Sequence, residues 1–293
     1  MKQNRFRFCL LLSVFMLGNG NGAGAQIPIP SSFPPTGKIG DAELNEISGV
    51  VAAQGAGYWC HNDGGNAPVL YRVVDDGAVV QRVRLSPPTM DDWEALTTDG
   101  KGTLYLADVG DNETRRGQYA IHVVTEPETE AQEMSNIQTY PFVYPQGASY
   151  DCEALFWLQG RLYLIQKDYS GENAAVFCLD PLEENSITEA RYVGELDVQQ
   201  ANRLGRIVTD AAYSANRGEL AVLTYFGILL FAVRDEADLL HPPIHIVSAY
   251  FGQSEAICYA GDHLVILNET GDMWNYPIST YAPNPSITDW MQY

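Results

Sequence analysis

Short apolar runs rich in aromatic and branched residues recur along the whole chain and are separated by polar turns. Four of them span residues 103–107, 161–165, 219–223 and 263–267, and each is introduced by Gly, Asp or Asn. Runs of this length with turn residues at both ends predict β-strands. Further runs follow at 69–74, 119–124, 175–179, 228–233 and 273–278, with fourth runs such as 79–85 and 244–250. No stretch after residue 25 keeps a helical period over 12 residues, so the pattern predicts an all-β protein.

A short motif, an acid followed by small or apolar residues, occurs five times. Its acids are Glu46, Glu94, Glu153, Asp210 and Glu255, at intervals of 48, 59, 57 and 45 residues. Repeats of this length, each holding about four strands, predict a β-propeller. The two ends of the chain together amount to one further unit, so we expect five blades, the last completed by the N-terminal segment. A sixth, degenerate blade between residues 126 and 150 stays open, and a β-sandwich would not explain the recurring acid.

In a propeller the first strand of each blade lines the central channel. The five acids should therefore converge at one mouth of the channel. The turns after the second strands should bring Asn62, Asp63, Asp108, Lys167, Asn268 and Glu269 to the same face. Two ionised carboxylates about 5 Å apart repel by roughly 3 kcal/mol at an effective dielectric constant of ~20. A bound cation, protonation of some acids, or backbone amides donating to the carboxylates would relieve this repulsion.

Oxygen ligands without His or Cys favour Ca²⁺ over zinc or copper. We therefore predict a divalent cation, most naturally calcium, held by Glu46, Glu94, Glu153, Asp210 and Glu255. In the alternative, each acid caps backbone amides at the start of its blade. The predicted ligand-binding residues are Asn62, Asp63, Asp108, Lys167, Arg206, Asn268 and Glu269, with Lys167 or Arg206 holding an anion.

Two further residue types have alternative interpretations. His61 could exchange a proton near neutral pH, although a histidine beside a strand is more often only hydrogen-bonded. Trp93 is the best candidate for stacking on a sugar, although core packing is the more usual role of tryptophan. The chain has no Gly-Xaa-Ser-Xaa-Gly elbow, phosphate-cradling loop or His-Glu-Xaa-Xaa-His motif, so the sequence assigns no catalytic residue.

Residues 1–25 have the pattern of a secretory signal: Lys2, Arg5 and Arg7, an apolar run, and a small-residue cleavage site. We expect residues 26–293 to form one propeller domain that is secreted or periplasmic, monomeric and without a membrane span. The formal net charge of −20 argues against nucleic acid as a partner and suits divalent cations. The expected partners are a small molecule or a secreted protein or glycan. Cys60, Cys152, Cys178 and Cys258 could form disulfides or remain buried thiols.

Four segments together resemble a group of uncharacterised secreted bacterial β-propellers. They are Glu-Ile-Ser-Gly-Val at 46–50, His-Asn-Asp-Gly-Gly at 61–65, Asp-Trp-Glu-Ala-Leu at 92–96 and Ala-Asp-Val-Gly-Asp-Asn at 107–112, the last followed by Arg115 and Arg116. The resemblance implies the propeller fold and no particular reaction. More distantly, the arrangement is similar to calcium-dependent propellers, the five-bladed apyrase-type nucleotidases and the propeller phytases, but the chain lacks their wider basic motifs.

The sequence thus leaves two functions open. One is a channel mouth that binds a cation and, through it, a small ligand; if the protein is an enzyme, the reaction class is metal-assisted hydrolysis of a phosphoester or a lactone. The other is a non-catalytic binding module whose channel ion is structural.

Overall fold

The computed structural model describes residues 31–86, 91–172, 174–183, 186–201 and 203–280, so the predicted signal segment lies outside the described residues. These residues form five sheets around one axis, each built mainly of antiparallel strands. The innermost strands contact one another in a closed cycle, and the last one contacts the first. The molecule is therefore a five-bladed β-propeller, as predicted, and the six-bladed alternative is wrong.

The strands follow chain order, and each blade is built from the channel outwards. The chain begins with β1 (Ser31–Ser32) and β2 (Gly37–Lys38). Blade 1 contains β3 (Ile47–Ala52), β4 (Tyr58–Asn62), β5 (Val69–Val73) and β6 (Val79–Leu85). Blade 2 contains β7 (Trp93–Thr98), β8 (Thr103–Asp108), β9 (Tyr119–Thr125) and, after the short β10 (Glu133–Met134), β11 (Gln138–Val143).

Blade 3 contains β12 (Cys152–Leu158), β13 (Arg161–Gln166), β14 (Ala175–Leu179) and, after the short β15 (Thr188–Glu189), β16 (Arg191–Glu195). Blade 4 contains β17 (Val208–Ser214), β18 (Glu219–Thr224), β19 (Gly227–Ala232) and β20 (His245–Tyr250). Blade 5 contains β21 (Ser254–Ala260), β22 (His263–Asn268) and β23 (Asp272–Pro277). Short 3-10 helices span Pro145–Gly147, Arg203–Arg206, Glu236–Leu240 and Ile278–Thr280.

The ring closes through the N-terminal segment, as the repeat lengths predicted. Strand β2 pairs antiparallel with β23, with Gly37 opposite Met273, and becomes the fourth strand of blade 5. Strands β10, β15 and β1 add short parallel fifth strands to the outer edges of β6, β11 and β20. Among the described residues, no helix has the length and apolar character needed to cross a bilayer.

The hydrophobic core consists of five separate clusters, one between each pair of neighbouring blades. Each blade thus buries apolar side chains on both faces, and this burial is the main favourable contribution to folding. All four cysteines of the described chain are buried free thiols. Cys60 and Cys258 share the cluster between blades 1 and 5, where they pack as small apolar side chains.

Every innermost strand contains a β-bulge at the same position. In blade 2, Trp93 pairs with Asp108 and Ala95 with Ala107, so Glu94 has no opposite partner. The same offset of one residue occurs in the other four blades. A bulge leaves its extra residue unpaired and redirects its side chain. The five bulged residues are Ser48, Glu94, Glu153, Thr209 and Glu255.

Candidate metal centre

The five bulged residues form one layer at the channel mouth, the end at which the innermost strands begin; we call this layer the bulge ring. It contains three carboxylates and two hydroxyls, and all five side chains are buried. Ser48 Oγ donates to the main-chain oxygen of Glu94 at 2.9 Å, and Thr209 Oγ1 donates to the main-chain oxygen of Ser254 at 2.9 Å. The hydroxyls therefore link neighbouring blades, and the carboxylates belong to blades 2, 3 and 5.

The strand register corrects the alignment of two predicted metal ligands. Glu46 lies two residues before the bulged Ser48, and its Oε2 accepts a hydrogen bond from Asn66. Asp210 lies one residue after the bulged Thr209 and is itself paired with Leu223 of the second strand. Neither acid belongs to the bulge ring, because a hydroxyl occupies that position in blades 1 and 4.

The carboxylate of Asp210 accepts hydrogen bonds from two backbone amides. One is its own neighbour Ala211, at 2.8 Å, and the other is Ile257 of blade 5, at 2.7 Å. Burial raises the pKa of this carboxyl group well above its usual value. Asp210 thus performs the amide-capping role considered as the alternative to metal binding, and it joins blades 4 and 5.

A second layer of side chains surrounds the bulge ring. It comprises residues that precede the innermost strands, Glu46, Asp92, Asp151 and Gln253, and residues that follow the second strands, Asp63, Lys167, Tyr225 and Glu269. Backbone hydrogen bonds join the two sets in pairs, as from Asp63 N to Glu46 O and from Lys167 N to Asp151 O. The fold therefore concentrates acids from distant parts of the sequence at one face, as the repeat predicted.

Within the described residues, Asp63, Asp92 and Glu94 form a close group of acids, which we call the acid cluster. One oxygen from each of these residues lies within 4.8 Å of the others. Burial, followed by repulsion from Asp92, raises the pKa of Asp63 to about 7, and burial raises that of Asp92 to about 6. Burial and the charge of Glu153 raise the pKa of Glu94 well above its usual value. The cluster is thus a set of hard oxygen donors that resists full ionisation in the absence of a cation.

Two glycines make room for the acid cluster. A Cβ atom on Gly64 would overlap the Asp92 carboxylate, and one on Gly110 would overlap both Glu94 Oε1 and Asp92 Oδ2. Each glycine lies in a turn after a second strand, in blades 1 and 2. Their lack of a side chain lets carboxylates from two blades approach each other.

Asp108, one of the predicted ligand-binding residues, holds the backbone that carries Asp92. Its two oxygens accept hydrogen bonds from the amides of Asp91 and Asp92, both at 2.9 Å, and Arg116 pairs with it at 2.8 Å. Burial acts to raise the pKa of Asp108. Contact with His122, the two amide hydrogen bonds and the charge of Arg116 together outweigh burial, so the pKa is lowered. Asp108 therefore remains charged and positions the acid cluster.

The other half of the mouth is organised around a buried lysine. Lys167 Nζ lies 2.9 Å from Glu153 Oε1 and 3.7 Å from Glu255 Oε1. Tyr225 donates to Glu255 at 3.1 Å, and the rings of Tyr169 and Tyr225 lie 5.5 and 5.6 Å from the ammonium group. Although burial acts to lower it, the two glutamates raise the pKa of Lys167, which stays protonated. We call this group the lysine cluster.

Three other predicted ligand-binding residues form hydrogen bonds with nearby loop residues. Asn62 accepts from the amide of Glu46 at 3.1 Å, and Asn268 accepts from that of Asp272 at 2.8 Å. Arg206 donates to the main-chain oxygen of Ala201 at 2.9 Å and to Gln199. These contacts shape the turns at this end of the blades.

Glu269 lies in the second layer and is partly exposed. Its Oε1 accepts from Gln253. Burial and the charge of Glu255 raise the pKa of Glu269 to about 8. Glu269 can therefore exchange a proton near neutral pH.

His61 and Trp93 pack inside the protein between blades 1 and 2. Their rings meet edge to face with centroids 5.6 Å apart, and Trp93 is 2% exposed. Burial lowers the pKa of His61, so the neutral ring is favoured. Stacking of a sugar on Trp93 is excluded by this burial, and His61 is a core residue.

No protein-family model matches the chain, and no curated protein matches it. Among solved structures, the chain is similar to the glutaminyl cyclase of Myxococcus xanthus, with 14% identity, a TM-score of 0.48 and coverage of 82% of this chain and 90% of that one. It is also similar to the PQQ-bound aldose sugar dehydrogenase of Streptomyces coelicolor, with 10% identity, a TM-score of 0.45 and coverage of 83% of this chain and 94% of that one. A chain of a nidogen/laminin complex is similar with 12% identity, a TM-score of 0.46 and coverage of 80% of this chain and 82% of that one. At these values the similarities carry no argument about function.

Proposed function

We propose that the acid cluster binds a divalent cation, with calcium preferred, and that the cation holds a small ligand at the mouth of an exported propeller. One observation carries the proposal: carboxylate oxygens of Asp63, Asp92 and Glu94, from two blades, lie within 4.8 Å of one another. Like charges at that separation repel unless a cation or protons intervene. Calcium accepts six to eight oxygens in flexible geometry, so three carboxylates leave positions for water and ligand.

A cation at this point would suit hydrolysis of a phosphoester or a lactone, because it would polarise the phosphoryl or carbonyl oxygen and acidify a bound water molecule. Glu269 has a pKa of about 8 and is half-exposed at the same face. It is the group that we assign to proton transfer during such a reaction. The lysine cluster supplies one buried positive charge beside the cation.

Calorimetric titration of the purified protein with Ca²⁺ tests the cation site. We expect Asp92→Asn and Glu94→Gln to weaken binding at least tenfold. Asp91→Asn is the matched control, because Asp91 adjoins Asp92, loses the same charge, and has a side chain that is 80% exposed. Equal affinity in Asp92→Asn and Asp91→Asn would overturn the proposal.

The non-catalytic module remains the second candidate because the Glu94 carboxylate is almost completely buried, as ligands of structural ions often are. A panel of phosphoesters and lactones, assayed with and without calcium, separates the two functions. Calcium-dependent turnover that Glu269→Gln abolishes without loss of calcium binding would support the enzyme. Calcium binding that raises the melting temperature with no turnover on the panel would support the module.

A further inference from the structure

We infer that a second cation position lies beside the acid cluster, formed by Asp151 and Glu153 of blade 3. The inference rests on the proposed function, because it adds a neighbouring site to the first cation. It comes from a comparison of blades 2 and 3 and from two buried oxygens.

Asp151 and Glu153 occupy the same places in blade 3 as Asp92 and Glu94 in blade 2. Glu94 and Glu153 are both bulged residues of the innermost strand. The main-chain oxygens of Asp92 and Asp151 accept equivalent hydrogen bonds, from Val109 at 3.0 Å and from Lys167 at 2.8 Å. The repeat has therefore placed a second Asp-Xaa-Glu pair at the mouth, one blade further round the ring.

Each of these two acids has one oxygen in use and one without a partner. Asp151 Oδ1 accepts from the amide of Asp111 at 2.8 Å, and Glu153 Oε1 pairs with Lys167. Asp151 Oδ2 and Glu153 Oε2 are buried and have no hydrogen-bond partner within the part of the chain that the structure describes. The two residues are 5% and 1% exposed. Buried carboxylate oxygens without partners are costly, so a bound group at this position would be stabilising.

The surrounding charges favour a cation as that group. Glu94 and Glu153 are neighbours in the bulge ring, and no hydroxyl residue lies between blades 2 and 3 in that ring. Lys167 neutralises only part of the charge, because it is shared between Glu153 and Glu255. Two carboxylate oxygens completed by water are a usual environment for Mg²⁺ or Ca²⁺.

The second position should bind more weakly than the first. In the acid cluster the preceding blade contributes Asp63, whereas the corresponding residue of blade 2 is Val109, which is fully buried and apolar. One carboxylate fewer lowers the attraction for a cation. A pair of cations would also offset the negative charge that repels a phosphoester, and therefore favours that substrate class over a lactone.

Calcium titration monitored by calorimetry and by native mass spectrometry tests the inference. We expect two Ca²⁺ per wild-type chain, one tight and one at least tenfold weaker. Asp151→Asn should lose the weak step alone, whereas Asp92→Asn should lose the tight step. Asp91→Asn should retain both. Circular dichroism melts of each variant establish that it is folded, and Glu153→Gln provides a second removal of the weak step if Asp151→Asn fails to fold.

The possible failures are distinguishable. One Ca²⁺ per wild-type chain, unaffected by Asp151→Asn and lost in Asp92→Asn, would overturn the second site and leave the proposed function standing. Two Ca²⁺ in both the wild-type protein and Asp151→Asn would place the weak site elsewhere and also overturn the inference. Absence of any calcium binding would overturn the proposed function itself.

Discussion

Lys167 and Glu153 form an ion pair, with Nζ 2.9 Å from Oε1, in which both side chains are almost completely buried. Their association holds a positive charge inside a mouth that is otherwise acidic. A buried pair is not necessarily a large source of stability, because both charges lose their hydration. Removal of one member of the pair is costly, since the remaining buried charge then has no partner.

Lys167→Met should therefore destabilise the protein by about 3–5 kcal/mol. It leaves Glu153 and Glu255 without their common counter-charge. The double variant Lys167→Met/Glu153→Gln should recover part of this loss, because one of the two uncompensated charges is also removed. Chemical denaturation of the four proteins of the double-mutant cycle measures the coupling. Additive losses would show that the pair has no energetic coupling.

Gly110→Ala should weaken calcium binding by at least tenfold, because the new methyl group would displace Glu94 Oε1 and Asp92 Oδ2. Gly117→Ala is a control from the same blade, since nothing lies within 4 Å of its Cβ position. Neither glycine has a positive φ, so the substitutions differ in space and not in backbone strain. Calorimetric titration compares them, and similar affinities would contradict the proposed role of Gly110.

In the absence of divalent cations, the melting temperature should fall as the pH rises from about 5 to 8. Asp63 and Asp92 have raised pKa values of about 7 and about 6, so the folded state binds protons that the unfolded state has released. Stability present at low pH is then lost as the pH passes through these values. Calcium should remove most of the fall, because it replaces the protons. Scanning calorimetry in chelator and in calcium measures both effects, and a melting temperature independent of pH in chelator would contradict them.

Asp210→Ala should cost about 2–4 kcal/mol, because the buried amides of Ala211 and Ile257 would lose their acceptor. Asp210→Asn retains one acceptor oxygen and should cost less. Both variants should bind calcium with wild-type stoichiometry. Loss of a calcium equivalent in a folded Asp210→Asn protein would restore Asp210 as a metal ligand.

The fold was predictable from sequence because strand length, turn residues and repeat intervals all indicate the same architecture. The strands of residues 103–107 and 263–267 appear with one more residue each, as Thr103–Asp108 and His263–Asn268. The closing β2 strand was predictable from the lengths of the two chain ends. What the intervals could not exclude was a hidden sixth blade.

The site was only partly predictable, because a bulge shifts the register by one residue without a change in composition. Glu94, Glu153 and Glu255 lie in one layer, whereas Ser48 and Thr209 occupy the positions in that layer that the repeat assigned to Glu46 and Asp210. In all five blades the bulged position holds Ser, Thr or Glu. The residue before it is buried and is apolar or small, and the residue after it is small or is Asp. Asp92 was missed, although its spacing from Glu94 is repeated by Asp151 and Glu153.

The pairing of Gly37 with Met273 joins positions separated by more than two hundred residues. During synthesis the outer strand of the last blade is made first and must wait for its neighbour until nearly the whole chain has left the ribosome. Until then blade 5 lacks its outer strand, and the N-terminal segment cannot close the ring. A chain that ended before Met273 would therefore keep the residues of the acid cluster, which belong to blades 1 and 2, but would lack the strand pairing that closes the propeller.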